Sequence, residues 1–405
     1  MKVIVIGGGA AGSLAAYFSA KNGNEVTLIE KNEKIGKKLY ITGKGRCNLT
    51  NDCDEEEFLK NVVTNSRFLT GSIYGFSPKD TLSLFESEGL KLKTERGNRV
   101  FPLSDKSSDV IKTILKMLGE EGVTVKLNET VLAVLSENGK VIGVKTDKGE
   151  YGADKVIIAC GGISYPATGS TGDGYKFAKT LGHTVVSPVP SLCGINLKGD
   201  DFKALQGLTL KNVKLSAYCE DKKYYEEQGE ILFTHYGVSG PLILTLSAYS
   251  ARKNYNNVKL FIDLKPALDD KELSKRILRD FGENLNRAIK NSLDNLLPKA
   301  LISLVIERSG ICPDKKCNSV TAAERESLVK TLKNLEFIPC SARDFNEAVV
   351  TSGGVSVKEI SPSTMESKIV KGLFFAGEVI DTDALTGGFN LQIAFSTAYS
   401  AGKNK

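Results

Sequence analysis

A short, largely apolar run, Lys2 to Ile6, opens into Gly7-x-Gly9-x-x-Gly12, followed by small residues at helical spacing from Ala10 to Asn22. Gly23 ends that segment, and a second apolar run, Glu25 to Ile29, closes on Glu30. Strand, glycine turn, helix, strand and acid in this order predict a βαβ unit that binds a dinucleotide. Gly7 permits the tight turn, Gly9 lets a pyrophosphate approach the backbone, and Gly12 lets helix and strand pack closely. The helix N-terminus offers unpaired N–H groups and a positive dipole end, and Glu30 can accept from ribose hydroxyls.

The remaining chain predicts how this unit is completed. From Val123 to Cys160 the pattern is that of a β-meander, with a hairpin turn at Asn138-Gly139 and another at Asp147-Lys148-Gly149. Lys155 to Gly162 reads as a buried strand meeting a glycine turn. Residues 191–337 alternate like strands to about Pro266 and are lysine- and leucine-rich with helical spacing beyond it. Glycine-rich texture then returns to the C-terminus. The expected architecture is α/β: a Rossmann-like cofactor domain in two segments, 1–190 and 338–405, interrupted by a β-rich then helical domain that walls or covers the substrate.

Composition narrows the function. The net charge of +6 over 405 residues is no nucleic-acid signature by itself. Eight scattered cysteines read as reduced thiols, and Cys312 and Cys317 lack the second pair that a structural metal site needs, so no metal is expected. The glycines interrupt what would otherwise resemble a signal peptide in the first twenty residues. A cytoplasmic protein is therefore expected, with a small-molecule substrate and neither a nucleic-acid nor a membrane partner.

The choice between NAD and FAD falls to the C-terminal region. Gly372 to Asp381 runs from an apolar strand into a glycine and two acids, and an acid there suits the ribityl hydroxyls that NAD lacks. The following Gly387-Gly388 pair leads into a helix whose N-terminus can stabilise negative charge at the pyrimidine edge of a reduced flavin. FAD is the expected cofactor. Only one full dinucleotide fingerprint is visible, so NAD(P)H is expected only as a transient hydride donor.

Longer blocks carry a family resemblance. They are Lys37 to Asn51 (KKLYITGKGRCNLTN), Cys160 to Tyr175, Gly229 to Pro241, Glu347 to Val355 and the Gly372 block. Through them the chain resembles the glutathione-reductase-type FAD fold, and within it the bacterial flavoprotein family of aminoacetone oxidase and the bile-acid reductase BaiN. The resemblance implies that Gly7, Gly9, Ala10, Ala11 and Gly12 wrap the diphosphate. It sets Glu30 and Lys31 at the adenosine ribose and Val131 at adenine. Against the flavin and its chain it sets Lys38, Gly43, Gly45, Arg46, Cys47, Asn48, Gly161, Gly353, Gly354, Gly377, Gly387, Gly388, Phe389, Asn390 and Leu391. Glu378 and Asp381 both remain candidates for the ribityl chain. Ala159-Cys160-Gly161 departs mildly from the A-T-G usual in such folds.

Two residues are candidates for catalysis. His235 can give and take a proton near neutral pH, or can pin the inserted domain. Arg46 can stabilise anionic reduced flavin or an acidic substrate, or hold a carboxylate within its own loop. His183, after the helix end at Gly182, reads as structural, and the absence of a cysteine pair near Cys47 argues against disulfide chemistry. Three reactions remain open. The first is NAD(P)H-linked reduction of a conjugated C=C bond, as in a 3-oxo-Δ4 or Δ4,6 bile-acid intermediate. The second is oxidation of a small amine such as aminoacetone with O2. The third, an RNA-modifying flavoprotein, is disfavoured here by the lack of a basic C-terminal extension. A flavin-binding sensor is the remaining non-enzymatic alternative.

Overall fold

The computed structural model describes residues 1–404, which form two compact units. One consists of 1–191 with 344–405, and the other of 192–343.

In the first unit, strand Lys2–Ile6 lies at the centre of a five-stranded parallel sheet. Its neighbours are Glu25–Ile29 on one side and Lys155–Ile158 on the other, with Thr124–Lys126 and Leu373–Phe375 at the edges. Val3 to Ile6 are all buried, as a strand covered on both faces by helices requires. Helix Ala10–Lys21 fills one crossover and is buried along most of its length. The C-terminal helix Phe389–Gly402 packs alongside it, with Phe18 edge-on to Tyr399 at 5.0 Å.

The meander forms as expected: Val131–Glu137, Lys140–Thr146 and Glu150–Gly152 make an antiparallel sheet. Asn138 (φ 50°) and Gly139 (φ 75°) supply the left-handed turn that matches the strand twist. The expected α/β class, with a Rossmann-like parallel sheet and β-meander, is what the chain adopts.

The second unit is built on a seven-stranded sheet. Its two longest strands, Thr209–Cys219 and Lys222–Thr234, are paired antiparallel. Helices Asp270–Gly282, Lys299–Ser309 and Ala322–Lys333 follow, and the first and third begin in reciprocal capping boxes, Asp269 with Glu272 and Thr321 with Glu324. Strand Pro339–Ala342 pairs with Ile195–Leu197 in this sheet, so the chain stays in the second unit past Phe337. No helix among the described residues is long and apolar enough to cross a membrane, and no metal-ligand cluster occurs among them.

Candidate functional site

The site is assembled in the first unit by two helix N-termini. Gly7 N donates to Ile29 O at 2.8 Å, which draws the glycine turn over the end of the sheet. Gly9 is the N-cap of helix Ala10–Lys21, with φ −82°, no capping side chain and no acid in the first turn. Its leading N–H groups therefore have neither an intrahelical nor a side-chain acceptor. A Cβ on Gly9 would meet nothing within 4 Å, whereas one on Gly12 would lie 1.8 Å from Gly7 O. The first glycine thus borders open space, and the second exists for contact between helix and turn.

Glu30 is buried at the end of the second strand. Its Oε2 accepts from Gly8 N at 2.7 Å, and its Oε1 accepts from Asn32 N at 2.8 Å and Asn32 Nδ2 at 2.6 Å. Lys31, expected at the ribose, instead donates to Asp173 at 2.7 Å and Thr171 at 2.5 Å. That pairing fixes the turn before helix Asp173–Thr180 and takes two of the three ammonium hydrogens. Val131 lines a cavity of about 240 Å³ together with Thr130, Asp173, Lys176 and Phe177.

The second helix N-terminus is that of Phe389–Gly402, entered through Gly387 and Gly388, with no acid in its first turn. A Cβ on Gly388 would come within 2.3 Å of the Thr50 backbone, so only glycine allows the helix start to sit on segment 48–51. With its amide oriented to satisfy both ends, Asn48 accepts from Gly388 N at 3.0 Å and donates to Val100 O and Thr50 O. Asn51 Nδ2 donates to Gly387 O at 3.1 Å. The loop holding Gly43, Gly45 and Asn48 and the Gly387-Gly388 turn are thus brought together from opposite ends of the chain. Gly377 abuts Ala11, where an added Cβ would lie 2.6 Å from the alanine methyl.

The acids are committed more heavily than their sequence position suggests. Glu378 Oε2 pairs with Lys38 Nζ at 2.7 Å, while Oε1 accepts from Thr351 N at 2.8 Å and Ser164 Oγ at 3.0 Å. Ser164 and Thr351, which no motif in the sequence singles out, tie the Cys160 and Glu347 blocks to this carboxylate. Asp381 is buried and accepts from Asn65 Nδ2 at both its carbonyl (2.6 Å) and its carboxylate (3.2 Å). Three buried hydroxyls in the unit, on Ser13, Tyr175 and Thr382, have no hydrogen-bond partner among the described residues. Ser13 follows Gly12, Thr382 follows Asp381, and burial beside Glu378 and Asp381 pushes the Tyr175 phenol up. The unpartnered Ser13 hydroxyl, in the first turn of the uncapped helix Ala10–Lys21, fits the oxygen-rich chain of a dinucleotide.

Several expectations need revision. Arg46 is bound to Glu95 and to Asp105, with Nε at 2.7 Å from the latter, and stacks on Phe101 at 4.0 Å. Glu95 chiefly, and Asp105 with it, hold the guanidinium pKa above its usual value. Arg46 therefore braces its loop against distant strands, rather than within its own loop, and as placed is no free cation for flavin or substrate. Cys47 is fully buried, and burial pushes its thiol up to about 12. Gly353 and Gly354 lie buried in strand Val350–Val355, closely packed against neighbouring backbone. Gly161 faces Ser170. Phe389 packs edge-on to Phe58 at 5.2 Å, Asn390 holds Ala384 through both N (3.0 Å) and O (2.8 Å), and Leu391 is partly buried in the core. His183 is buried, bonded to Ser367 Oγ at 2.9 Å and edge-on to Phe375. In the second unit, His235 is exposed on the turn between strands Lys222–Thr234 and Gly237–Ser239, edge-on to Tyr236.

Residues 1–404 match the model of the HI0933-like protein Rossmann domain. The chain belongs to the HI0933-like family. The family's FAD-binding Rossmann fold is the one described above, and the chain is an FAD-dependent oxidoreductase. It is 32% identical to a 3-dehydro-bile acid delta(4,6)-reductase of Clostridium scindens, over 99% of this chain and 98% of that one. It is equally 32% identical to a ribosomal RNA dihydrouridine synthase of Haemophilus influenzae, over 98% and 96%. Among solved structures, a 3-ketosteroid-delta4-(5alpha)-dehydrogenase from Rhodococcus jostii superimposes with a TM-score of 0.55 at 15% identity, covering 99% of this chain and 96% of that one. At that identity the likeness is one of fold.

Proposed function

We propose that this HI0933-like protein is a reductase of C=C bonds conjugated to a carbonyl, using FAD and drawing hydride from NAD(P)H. The observation that carries this reading is a chemistry shared by the names of its full-length relatives. A delta(4,6)-reductase acts on ring C=C bonds, and making dihydrouridine saturates the uracil C5=C6 bond, which is conjugated to C4=O.

FAD supplies hydride transfer at its N5. Gly9 and the first turn of helix Ala10–Lys21 would hold the diphosphate, with Glu30 at the adenosine ribose and Val131 at the adenine. Segment 43–48 and the N-terminus of Phe389–Gly402 would face the isoalloxazine, whose negative charge the helix end stabilises. Glu378 would orient Lys38 and the Gly377 turn, and Glu378 and Asp381, with Thr382 beside it, are the candidates for the ribityl hydroxyls. His235 is the proposed proton donor to the carbon adjacent to the one that receives hydride. The expected result for His235→Ala is lost turnover with flavin retained, and unchanged turnover would reduce His235 to a packing role.

For the substrate we place uridine in ribosomal RNA first and a 3-oxo-Δ4 or Δ4,6 steroid acid second. A further dihydrouridine synthase, from Escherichia coli, is 29% identical over 99% of the chain. Residues 192–343 carry 24 Lys and Arg against 19 Asp and Glu, most of the protein's positive excess. A net positive unit is compatible with a phosphate backbone. This revises the sequence expectation that no nucleic acid takes part. The test is anaerobic bleaching of the yellow protein by NADH or NADPH, then recovery with unmodified ribosomal RNA or with the steroid acid. Bleaching by aminoacetone instead, with peroxide formed on admitting air, would establish the oxidase alternative.

A further inference from the structure

One fully buried polar side chain on the C-terminal helix is absorbed by none of the roles above. Gln392 lies one turn in from Gly388, and its N–H closes that turn on Gly388 O at 3.1 Å. Its Oε1 accepts from Thr50 Oγ1 at 2.6 Å and Thr81 Oγ1 at 2.8 Å. Its Nε2 donates to Phe76 O at 3.1 Å and Ser396 Oγ at 3.0 Å. An amide side chain can make four such bonds, and here all four are made. Leaving any one unmade in this dry surrounding is costly, so the helix has a single permitted rotation and advance.

Thr50 is the link to the site. Its hydroxyl holds Gln392, its carbonyl accepts from Asn48, and its backbone is the surface on which Gly388 rests. We infer that Gln392 is a positioning residue, which aims the N–H groups at the start of helix Phe389–Gly402 by locking that helix to Thr50, Phe76 and Thr81. The inference rests on the reading that this helix end faces the flavin. A helix end aimed away loses its stabilisation of negative charge within a turn's length.

The experiment is the flavin midpoint potential and FAD dissociation constant of Gln392→Met holoenzyme, with Ser400→Ala as control. Ser400 makes a comparable buried bond, to Ser72 Oγ at 3.0 Å, further along the same helix. Gln392→Met is expected to lower the potential and weaken FAD about fivefold. Ser400→Ala is expected to lower Tm with the potential unchanged. An unchanged potential and affinity in Gln392→Met, or equal shifts in both variants, would overturn the inference. If Gln392→Met does not fold, Thr81→Val, which removes one donor to Oε1, is read by the same criteria. Wild-type protein that bound no FAD would instead overturn the underlying reading.

Discussion

Two glycines of one fingerprint should respond in opposite ways to substitution. Gly12 has backbone directly against it: an added Cβ would lie 1.8 Å from Gly7 O and 3.0 Å from Gly7 C. Relief to ordinary contact at 3.4–4 Å requires the helix and the turn to separate by about 1.6–2.2 Å, and overpacking of this kind costs roughly 3 kcal/mol. Gly12→Ala should therefore lower the Tm of cofactor-free protein by roughly 6–12 °C. Gly9 has open space on its Cβ side and an ordinary φ of −82°. Aspartate there becomes a normal N-cap, accepting from the N–H groups of the first turn, and should hold or raise apo stability by a few tenths of a kcal/mol. The same carboxylate occupies the anion-binding end of the helix and repels a diphosphate. One charge pair at about 4 Å and an effective dielectric near 20 is worth about 4 kcal/mol, so FAD affinity should fall at least ~100-fold. The assay is differential scanning fluorimetry of stripped protein beside FAD titration by flavin fluorescence. Gly9→Asp that keeps FAD, or that unfolds the apoprotein as severely as Gly12→Ala, would refute the assignment of this turn to the diphosphate.

Three other outcomes follow from the side-chain partners. Lys38→Met should destabilise the protein by about 1–2 kcal/mol in urea, because it strips a partly buried carboxylate of its cation. A double-mutant cycle with Glu378→Gln should recover part of that loss. Arg46 and Lys93 hold the Glu95 and Asp105 carboxyls below their usual range, so their contribution is complete above pH about 5 and is lost as pH falls through the depressed folded values. The stability gap between wild type and Arg46→Ala, read from urea midpoints, should accordingly be constant near neutrality and close in acid. At pH 8, iodoacetamide should modify the exposed Cys312 and Cys340 in native protein, while Cys47, buried with its thiol pushed up to about 12, reacts only after unfolding.

What the sequence made legible was local and periodic. The strand at Lys2–Ile6, the helix from Ala10 and the strand at Glu25–Ile29 could be read because glycines punctuate a continuous apolar pattern. Asn138-Gly139 marked the hairpin for the same reason: few residue pairs adopt two successive left-handed conformations. Long-range pairings were not legible. Arg46 meets Glu95 and Asp105 through the antiparallel strands Leu92–Glu95 and Arg99–Pro102, and nothing local in its loop announces those partners. Lys31 and Asp173 lie far apart in sequence, as do Lys38 and Glu378, so the ion pairs these lysines make within the fold could not be read locally. Gln392 gave no signal because a lone amide in a helix is ordinarily solvent-exposed. Only the convergence of residues 50, 76 and 81 on that helix makes it a buried clamp.

The most direct test of the central claim isolates the oxidative half-reaction. Purified protein is photoreduced under anaerobic conditions with EDTA as the electron donor and then mixed with one equivalent of unmodified ribosomal RNA or of a 3-oxo-Δ4 steroid acid, with flavin absorbance and product mass followed together. The yellow colour is expected to return without oxygen, and a product two hydrogens heavier to appear in equal amount, with the RNA as the faster acceptor. Flavin that stays bleached with both acceptors and recovers only on admitting air would contradict that claim.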